Sequence, residues 1–222
     1  MDIKNNIFKI CSSLPDGVKL IAVSKFHSPG TIKKAYDAGQ RIFGESRVQE
    51  LTAKQPALPE DIEWHFIGTL QTNKVKYIAP FVSMIQSVDS LKLIQEIDRQ
   101  AAKYDRKIRI LIEAHIAEEE SKHGFSPDEC KGLFTDGTIT QFPNIQVCGL
   151  MGMATFTDNT EQVRREFGML QDLFKEIKSM PKTDKSVFTE LSMGMSDDYE
   201  TAIEKGSTMV RIGTAIFGIR EC

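Results

Sequence analysis

Short apolar segments rich in β-branched residues alternate with helical segments along the whole chain. Eight of them have the length and composition of buried parallel strands. They are VKLIAVS (18–24), RIFGE (41–45), IEWHFIG (62–68), FVSMIQSV (81–88), KIRILIEAHI (107–116), IQVCGL (145–150), SVFTELS (186–192) and MVRIG (209–213). Chain of helical character follows each of these segments, so the pattern predicts eight consecutive βα units.

Local signals mark where several of the helices begin. Ser28 is a suitable N-cap for a helix that has Pro29 at its first position. Ser126 and Glu129 have the spacing of a capping box, and Ser196, followed by two aspartates, is expected to begin a short helix. Apolar residues recur at helical spacing within 159–180, and a further helical segment, 2–13, precedes the first strand.

The number of βα units and the chain length together predict the fold class. Eight units in 222 residues match an α/β protein with a single (β/α)8 TIM-type barrel, here with an extra N-terminal helix. The alternative is an open, doubly wound sheet, but no G-x-G-x-x-G follows the first strand. Because no linker or low-complexity segment interrupts the chain, we expect one domain, 1–222.

Composition narrows the class of protein. A net charge of -3 gives no basic excess for nucleic acid or an anionic membrane, and neither a signal peptide nor a long apolar run is present. The cysteines show no C-x-x-C pair and the histidines no metal-ligand spacing; the cysteines are Cys11, Cys130, Cys148 and Cys222. We therefore expect a cytoplasmic monomer with reduced thiols and no metal.

Reactive and small residues follow the strands at the end where barrels of this kind place their sites. Lys25 comes directly after the first strand, where partial burial would favour the neutral amine that attacks carbonyl groups. Ser192-Met193-Gly194 and Gly213-Thr214 stand at the ends of strands seven and eight, a common position for phosphate binding. The alternatives are a solvated lysine and ordinary turn residues.

A reactive lysine opposite a phosphate site predicts a phosphorylated carbonyl ligand. Such a ligand is either the substrate of an aldolase-type sugar-phosphate lyase or pyridoxal 5′-phosphate (PLP), an aldehyde with a phosphate arm. Arg211 shares a strand face with Gly213, so it could meet a pyridine nitrogen or pair with a structural carboxylate. His65 is expected either to line the pocket or to be a hydrogen-bonded structural histidine.

Longer motifs carry a resemblance to a known family. The segments AVSKFHS, RIFGESRVQE, WHFIGTLQTNK, GLMGMAT, ELSMGMSDDYETAI and GSTMVRIGTAIFG closely resemble those of the PLP homeostasis protein family (the YggS/PROSC type), in the same order over nearly the whole chain. The resemblance implies a single PLP-binding barrel similar to the barrel domain of alanine racemase.

The resemblance also implies roles for individual residues. Lys25 matches the lysine that forms the internal aldimine with PLP, and Arg211 matches the arginine that faces the pyridine nitrogen. The phosphate-binding positions correspond to Ser192, Gly213 and Thr214, and Gly194 is placed with them.

Glu45 and Ser46 stand next to each other at the end of the second predicted strand. Ser46 stands where the family often has asparagine, so its shorter side chain would need a water to make the same contact with the cofactor ring. Glu45 is expected to orient a neighbour or to pair with a cation.

The resemblance implies a PLP-binding protein of intracellular PLP homeostasis, with little or no turnover and no catalytic residues. An arginine beside the ring nitrogen disfavours the pyridinium by like-charge repulsion and weakens the cofactor as an electron sink. The chain also ends soon after strand eight, without the further domain that supplies a racemase with its second base. PLP-dependent apo-enzymes are candidate partners. The alternatives are a weak PLP-dependent amino-acid racemase or other PLP enzyme, and the aldolase-type lyase.

Overall fold

Eight parallel strands close into a barrel in which each strand pairs with the next along the chain. The computed structural model describes residues 2–118 and 123–218. The strands are β1 (Lys19–Val23), β2 (Ile42–Glu45), β3 (Glu63–Phe66), β4 (Met84–Val88), β5 (Ile108–Glu113), β6 (Ile145–Met151), β7 (Glu190–Ser192) and β8 (Met209–Ile212). The predicted (β/α)8 barrel is confirmed. The open-sheet alternative is wrong, because β1 pairs with β8 in parallel from Lys19↔Met209 to Ala22↔Ile212.

Helices surround the barrel and follow the predicted order. They are α1 (Ile3–Ser13), α2 (Pro29–Asp37), α3 (Val48–Lys54), α4 (Val75–Ile78), α5 (Leu91–Lys103), α6 (Pro127–Thr135), α7 (Thr160–Ser179), α8 (Tyr199–Glu204) and α9 (Thr214–Phe217). The side chain of Ser28 accepts a hydrogen bond from the Thr31 backbone, and Ser126 and Glu129 form the expected capping box. The extra N-terminal helix is α1, and its Asn6 side chain donates to the carbonyl oxygen of Ile216 in α9.

Several elements are shorter than the sequence pattern predicts. The predicted strand 186–192 begins at Glu190, because the backbone N–H groups of Val187 and Phe188 bond to Asp184 in a turn. The predicted strand 107–116 ends at Glu113, where the next residues pair with Phe125 instead. The helical chain expected after the third predicted strand is a 3-10 turn, Thr72–Lys74, followed by the single turn of α4.

Two apolar layers hold the barrel. The larger lies between strands and helices and contains large buried side chains such as Phe43, Phe66 and Phe167. The smaller fills the barrel interior with Ile21, Met84, Leu111, Cys148, Met151 and Met209. Alternation along the strands places buried polar side chains on this interior face as well, among them His65, Gln86, Glu113, Glu190, Ser192 and Arg211.

Within 2–118 and 123–218, none of the helices combines the length and the apolar character that crossing a bilayer demands. The thiols of Cys11, Cys130 and Cys148 are free, and Cys222 lies outside the described residues. Burial raises the pKa of Cys130 to about 12 and that of Cys148 to about 11. These two thiols therefore stay protonated at neutral pH.

Candidate functional site

A cavity of about 240 Å³ opens at the carboxyl end of the barrel. It is lined by five of the residues that the sequence predicts for the site: Lys25, Ser46, Arg211, Gly213 and Thr214. The other lining residues are Val23, His27, Ile67, Met153, Met195, Ser196, Asp197 and Gly218. The wall thus combines an amine, a guanidinium, several hydroxyls and apolar side chains.

Lys25 is half-buried at this cavity, two residues beyond the end of β1. Ser24, directly before it, is fully buried, and its hydroxyl donates to Oε1 of Glu45 at 2.7 Å. The carbonyl oxygen of Ser24 accepts a hydrogen bond from Nζ of Lys54 at 3.0 Å. The hydroxyl and the carbonyl oxygen of Ser24 are therefore both anchored to charged side chains behind the strand.

The residue after Lys25 is anchored as well. Phe26 has φ of 69°, a left-handed conformation that is uncommon for a bulky residue. Its backbone N–H donates to Oε2 of Glu50 at 2.8 Å, and the Arg47 guanidinium lies 4.6 Å from its ring centroid. These contacts hold a strained peptide unit in place, which is typical of a functional loop.

One buried ammonium group joins the two anchors. Lys54 is 7% exposed, and its Nζ lies 2.8 Å from Oε1 of Glu45 and 3.0 Å from Oε2 of Glu50. Burial raises the pKa of Glu45, although hydrogen bonds from Lys54 and Ser24 oppose that rise. Burial also acts to raise the pKa of Glu50, but hydrogen bonds from Phe26 and Lys54 bring it below its ordinary value.

The sequence alone indicates this cluster in part. Glu45 pairs with a cation, as expected, but neither Lys54 nor Glu50 stands out. Their i,i+4 spacing is that of an ordinary surface ion pair on a helix. Their burial against Ser24 depends on how α3 packs on the barrel, which no local pattern reveals.

Arg211 forms the floor of the cavity and is 4% exposed. Its Nη1 donates to Oγ of Ser192 at 2.7 Å and its Nη2 to the carbonyl oxygen of Gly152 at 3.1 Å. Burial lowers the pKa of Arg211 to about 10, against the opposing influence of Asp198 and Glu113. The group is therefore a cation at neutral pH whose hydrogen bonds go to neutral oxygens rather than to a carboxylate.

Three of the predicted site residues do not line this cavity. Ser192 is fully buried in the barrel interior, where it bonds to Arg211 and Gln86. His65 is 1% exposed and bonds to Gln86, which matches the alternative of a hydrogen-bonded structural histidine. Gly194 has φ of 92°, and a Cβ there would lie 2.5 Å from that of Ala202. It thus allows α8 to pack closely.

Ser196 is a lining residue whose position sequence reasoning missed. We expected it to begin a helix, but α8 begins at Tyr199, and the side chain of Asp198 accepts from the backbone of Met195 instead. Ser196 therefore lies in the loop after β7 and borders the cavity. The S-M-G-M-S motif contains two serines. The first, Ser192, is the buried last residue of β7, and the second, Ser196, lies in the loop beyond the strand.

The donor set suits a planar aldehyde that carries a phosphate. Ser196 and Thr214 offer hydroxyl groups for an anion, and Lys25 offers an amine for an aldehyde. Gly213 lets the chain pack closely against the end of β1, since a Cβ there would lie 3.2 Å from the carbonyl oxygen of Val23. Among the residues that the structure describes, no group of His, Cys, Asp or Glu could hold a metal ion.

Sequence comparisons match the whole barrel to one family. The model of the alanine racemase N-terminal domain family matches residues 1–221. A pyridoxal phosphate homeostasis protein from Aquifex aeolicus is 43% identical over 204 residues, which cover 91% of this chain and 87% of that protein.

Solved structures agree with the sequence comparison. PipY of Synechococcus elongatus, solved with PLP bound, is 35% identical with a TM-score of 0.87. The match covers 97% of this chain and 100% of the PipY chain. Alanine racemase from Streptomyces lavendulae is 15% identical with a TM-score of 0.81. The match covers 100% of this chain and 58% of the racemase chain. That second likeness shows the barrel fold alone.

Proposed function

The chain belongs to the pyridoxal phosphate homeostasis proteins, and we propose that it binds PLP in the cavity at the mouth of the barrel. The observation that carries the proposal is the meeting of Lys25, Arg211, Ser196 and Thr214 in one cavity. The name of the Aquifex aeolicus relative and the PLP bound to PipY support the same ligand.

Each lining group has a distinct part in holding the cofactor. The amine of Lys25 would condense with the aldehyde and release the carbonyl oxygen as water, and the anchored peptide units on both sides keep this lysine in place. The hydroxyls of Ser196 and Thr214 donate to the phosphate, and Gly213 lines the cavity beside Thr214. Ser46 borders the ring, where it replaces the longer asparagine common in the family.

Arg211 would determine what the bound cofactor can do. PLP supplies an aldehyde for amines and a conjugated ring that accepts electrons best when its nitrogen is protonated. A guanidinium only donates hydrogen bonds, so a ring nitrogen that faces Arg211 accepts one and stays unprotonated. Since Arg211 bonds to the neutral Ser192 and Gly152, its charge is not cancelled there. The site therefore favours storage and release of PLP over turnover.

We also propose the wider setting of this role. Residues 1–222 form one PLP-binding domain, a cytoplasmic monomer that supplies PLP to PLP-dependent apo-enzymes. The homeostasis function named for the relatives supports a supply role, and the free thiols of Cys130 and Cys148 suit a reducing compartment. The names of the relatives and the PLP-bound PipY structure do not favour the alternative of a weak amino-acid racemase.

Absorption spectroscopy tests the binding proposal directly. The purified chain is incubated with PLP, its visible spectrum is recorded, and the complex is reduced with borohydride before the modified peptide is located. We expect a visible band and a modification at Lys25. No band, or a modification at another lysine, would contradict the proposed site. Steady racemisation of an amino acid at an ordinary enzyme rate would favour the racemase.

A further inference from the structure

Four buried polar side chains form one continuous hydrogen-bonded chain across the barrel interior. Arg211 Nη1 donates to Ser192 Oγ at 2.7 Å, and Ser192 Oγ donates to Gln86 Oε1 at 2.7 Å. Gln86 Nε2 lies 2.9 Å from His65 Nδ1. These residues come from β8, β7, β4 and β3, and none is more than 4% exposed.

The direction of every hydrogen bond in this chain follows from Arg211. A guanidinium has donors only, so Ser192 Oγ must accept, and its single proton goes to Gln86 Oε1. That contact turns the amide nitrogen of Gln86 toward His65, whose Nδ1 accepts. Burial lowers the pKa of His65 to about 3, so the neutral ring carries its proton on Nε2.

Stability alone does not account for this arrangement. Neighbouring interior positions on β4, β5 and β8 are filled by apolar side chains such as Met84, Leu111 and Met209. His65 Nε2 is buried and has no hydrogen-bond partner among the described residues. Because an unpaired buried donor is unfavourable, an apolar residue would suit the position better if packing were its only role.

We propose that Gln86 and His65 are positioning residues that hold Ser192, and through it Arg211, in the orientation that the cofactor meets. None of these four hydrogen-bonded side chains is a carboxylate, so they orient the guanidinium of Arg211 without cancelling its charge. This inference rests on the proposed function, in which Arg211 faces the ring nitrogen. It assigns Ser192 to the support of Arg211 rather than to the phosphate.

Glutamine-to-methionine variants of the full chain test the inference. Gln86→Met removes the link, whereas Gln100→Met is a matched control, because Gln100 is also buried but, within the described part of the chain, its side chain bonds to Glu96 alone, on α5 outside the barrel. We expect Gln86→Met to weaken PLP binding about three- to tenfold and to shift the visible band and its pH titration. Gln100→Met should keep the native affinity and spectrum. A folded Gln86→Met protein with native affinity and spectrum would overturn the inference.

A conservative replacement at His65 gives a second test that does not depend on Gln86→Met folding. His65→Asn can retain an acceptor for the Gln86 amide, whereas His65→Leu cannot. We expect the native band in His65→Asn and the altered band in His65→Leu. Equal bands in the two folded variants would contradict a positioning role.

A double-mutant cycle separates this inference from the proposed function. If Gln86 acts through Arg211, Gln86→Met should add less than about a twofold change in an Arg211→Met background. A full, independent effect of Gln86→Met in that background overturns the inference alone. An Arg211→Met protein with the native spectrum would instead refute the ring-nitrogen contact, and the inference with it.

Discussion

The buried ammonium group of Lys54 donates a hydrogen bond to the carbonyl oxygen of Ser24, 3.0 Å away. Ser24 precedes Lys25, and Glu50, which also pairs with Lys54, accepts the backbone N–H of Phe26 directly after it. The proposed PLP-binding lysine is thus placed between two peptide units that one ion cluster holds. Rigid support of this kind lowers the entropy lost when the side chain reacts.

Removing Lys54 should therefore impair both folding and PLP attachment. Lys54→Met leaves the buried Glu45 carboxylate without its cation, which should cost about 3 kcal/mol in the free energy of unfolding. Urea denaturation measures that loss, and stopped-flow absorption measures a slower attachment of PLP. Lys33→Met is the control, since Lys33 is exposed in a surface pair with Asp37. Native attachment kinetics in a folded Lys54→Met protein would refute the supporting role.

Lys25→Ala should abolish covalent attachment of PLP while leaving the rest of the cavity intact. The hydroxyls of Ser196 and Thr214 remain, so loose binding of PLP should persist. Borohydride reduction and mass spectrometry of the variant and of Lys33→Ala give the comparison. Covalent PLP on the Lys25→Ala protein would reveal a second reactive lysine.

Replacing Arg211 should change the protonation of the bound cofactor. Arg211→Glu replaces a cation with an acceptor, so the bound ring should shift toward the protonated pyridinium. Arg211→Lys keeps the charge and should shift the spectrum less. A pH titration of the visible band measures both variants. If the Arg211→Glu spectrum equals that of the native protein, Arg211 does not face the ring nitrogen.

Serine-to-alanine variants distinguish Ser196 from Ser192 as the phosphate-binding residue. Ser196→Ala and Thr214→Ala should each weaken PLP binding by about 1–3 kcal/mol, the range for one hydrogen bond to a charged group. Binding of pyridoxal, which lacks the phosphate, should not change. Ser192→Ala should instead alter the visible band, because Ser192 bonds to Arg211. A loss of affinity in Ser192→Ala that is specific to PLP over pyridoxal would restore the assignment made from sequence.

Glu113 should make the stability of the protein depend on pH. Burial, aided by Asp89 and opposed by Arg211 and His123, raises the pKa of Glu113 to about 7. A carboxyl whose pKa is raised on folding stabilises the protein below pH 4.5, and this contribution is lost as the pH rises to about 7.

The neutral isostere isolates that contribution. Glu113→Gln should be more stable than the native protein at pH 8 by roughly 3 kcal/mol, and the two proteins should converge near pH 4. Urea denaturation across this pH range measures the difference. A Glu113→Gln protein that is less stable at pH 8 would show that the carboxylate is charged and paired there.

Much of the fold could be predicted from the sequence, because its determinants are local. The β-branched apolar segments and the helix caps at Ser28 and Ser126 indicate the order of the strands and helices. Eight such units of this length leave the closed barrel as the simplest arrangement. The same logic predicts that Lys25, Ser46, Gly213 and Thr214 share one end of the barrel, since each directly follows a strand.

Relations between distant segments could be decided only by the tertiary structure. The sequence placed Arg211 on the inner face of β8 but left open whether it meets a carboxylate, since that depends on which strands lie opposite. Whether Ser192 or Ser196 borders the cavity depends on where β7 ends, which the pairing of Ser192 with Met209 of β8 determines. Gln86 lies 106 residues from Ser192, and Lys54 lies 30 from Ser24. No local pattern encodes these contacts, because they arise from barrel closure and from the packing of α3.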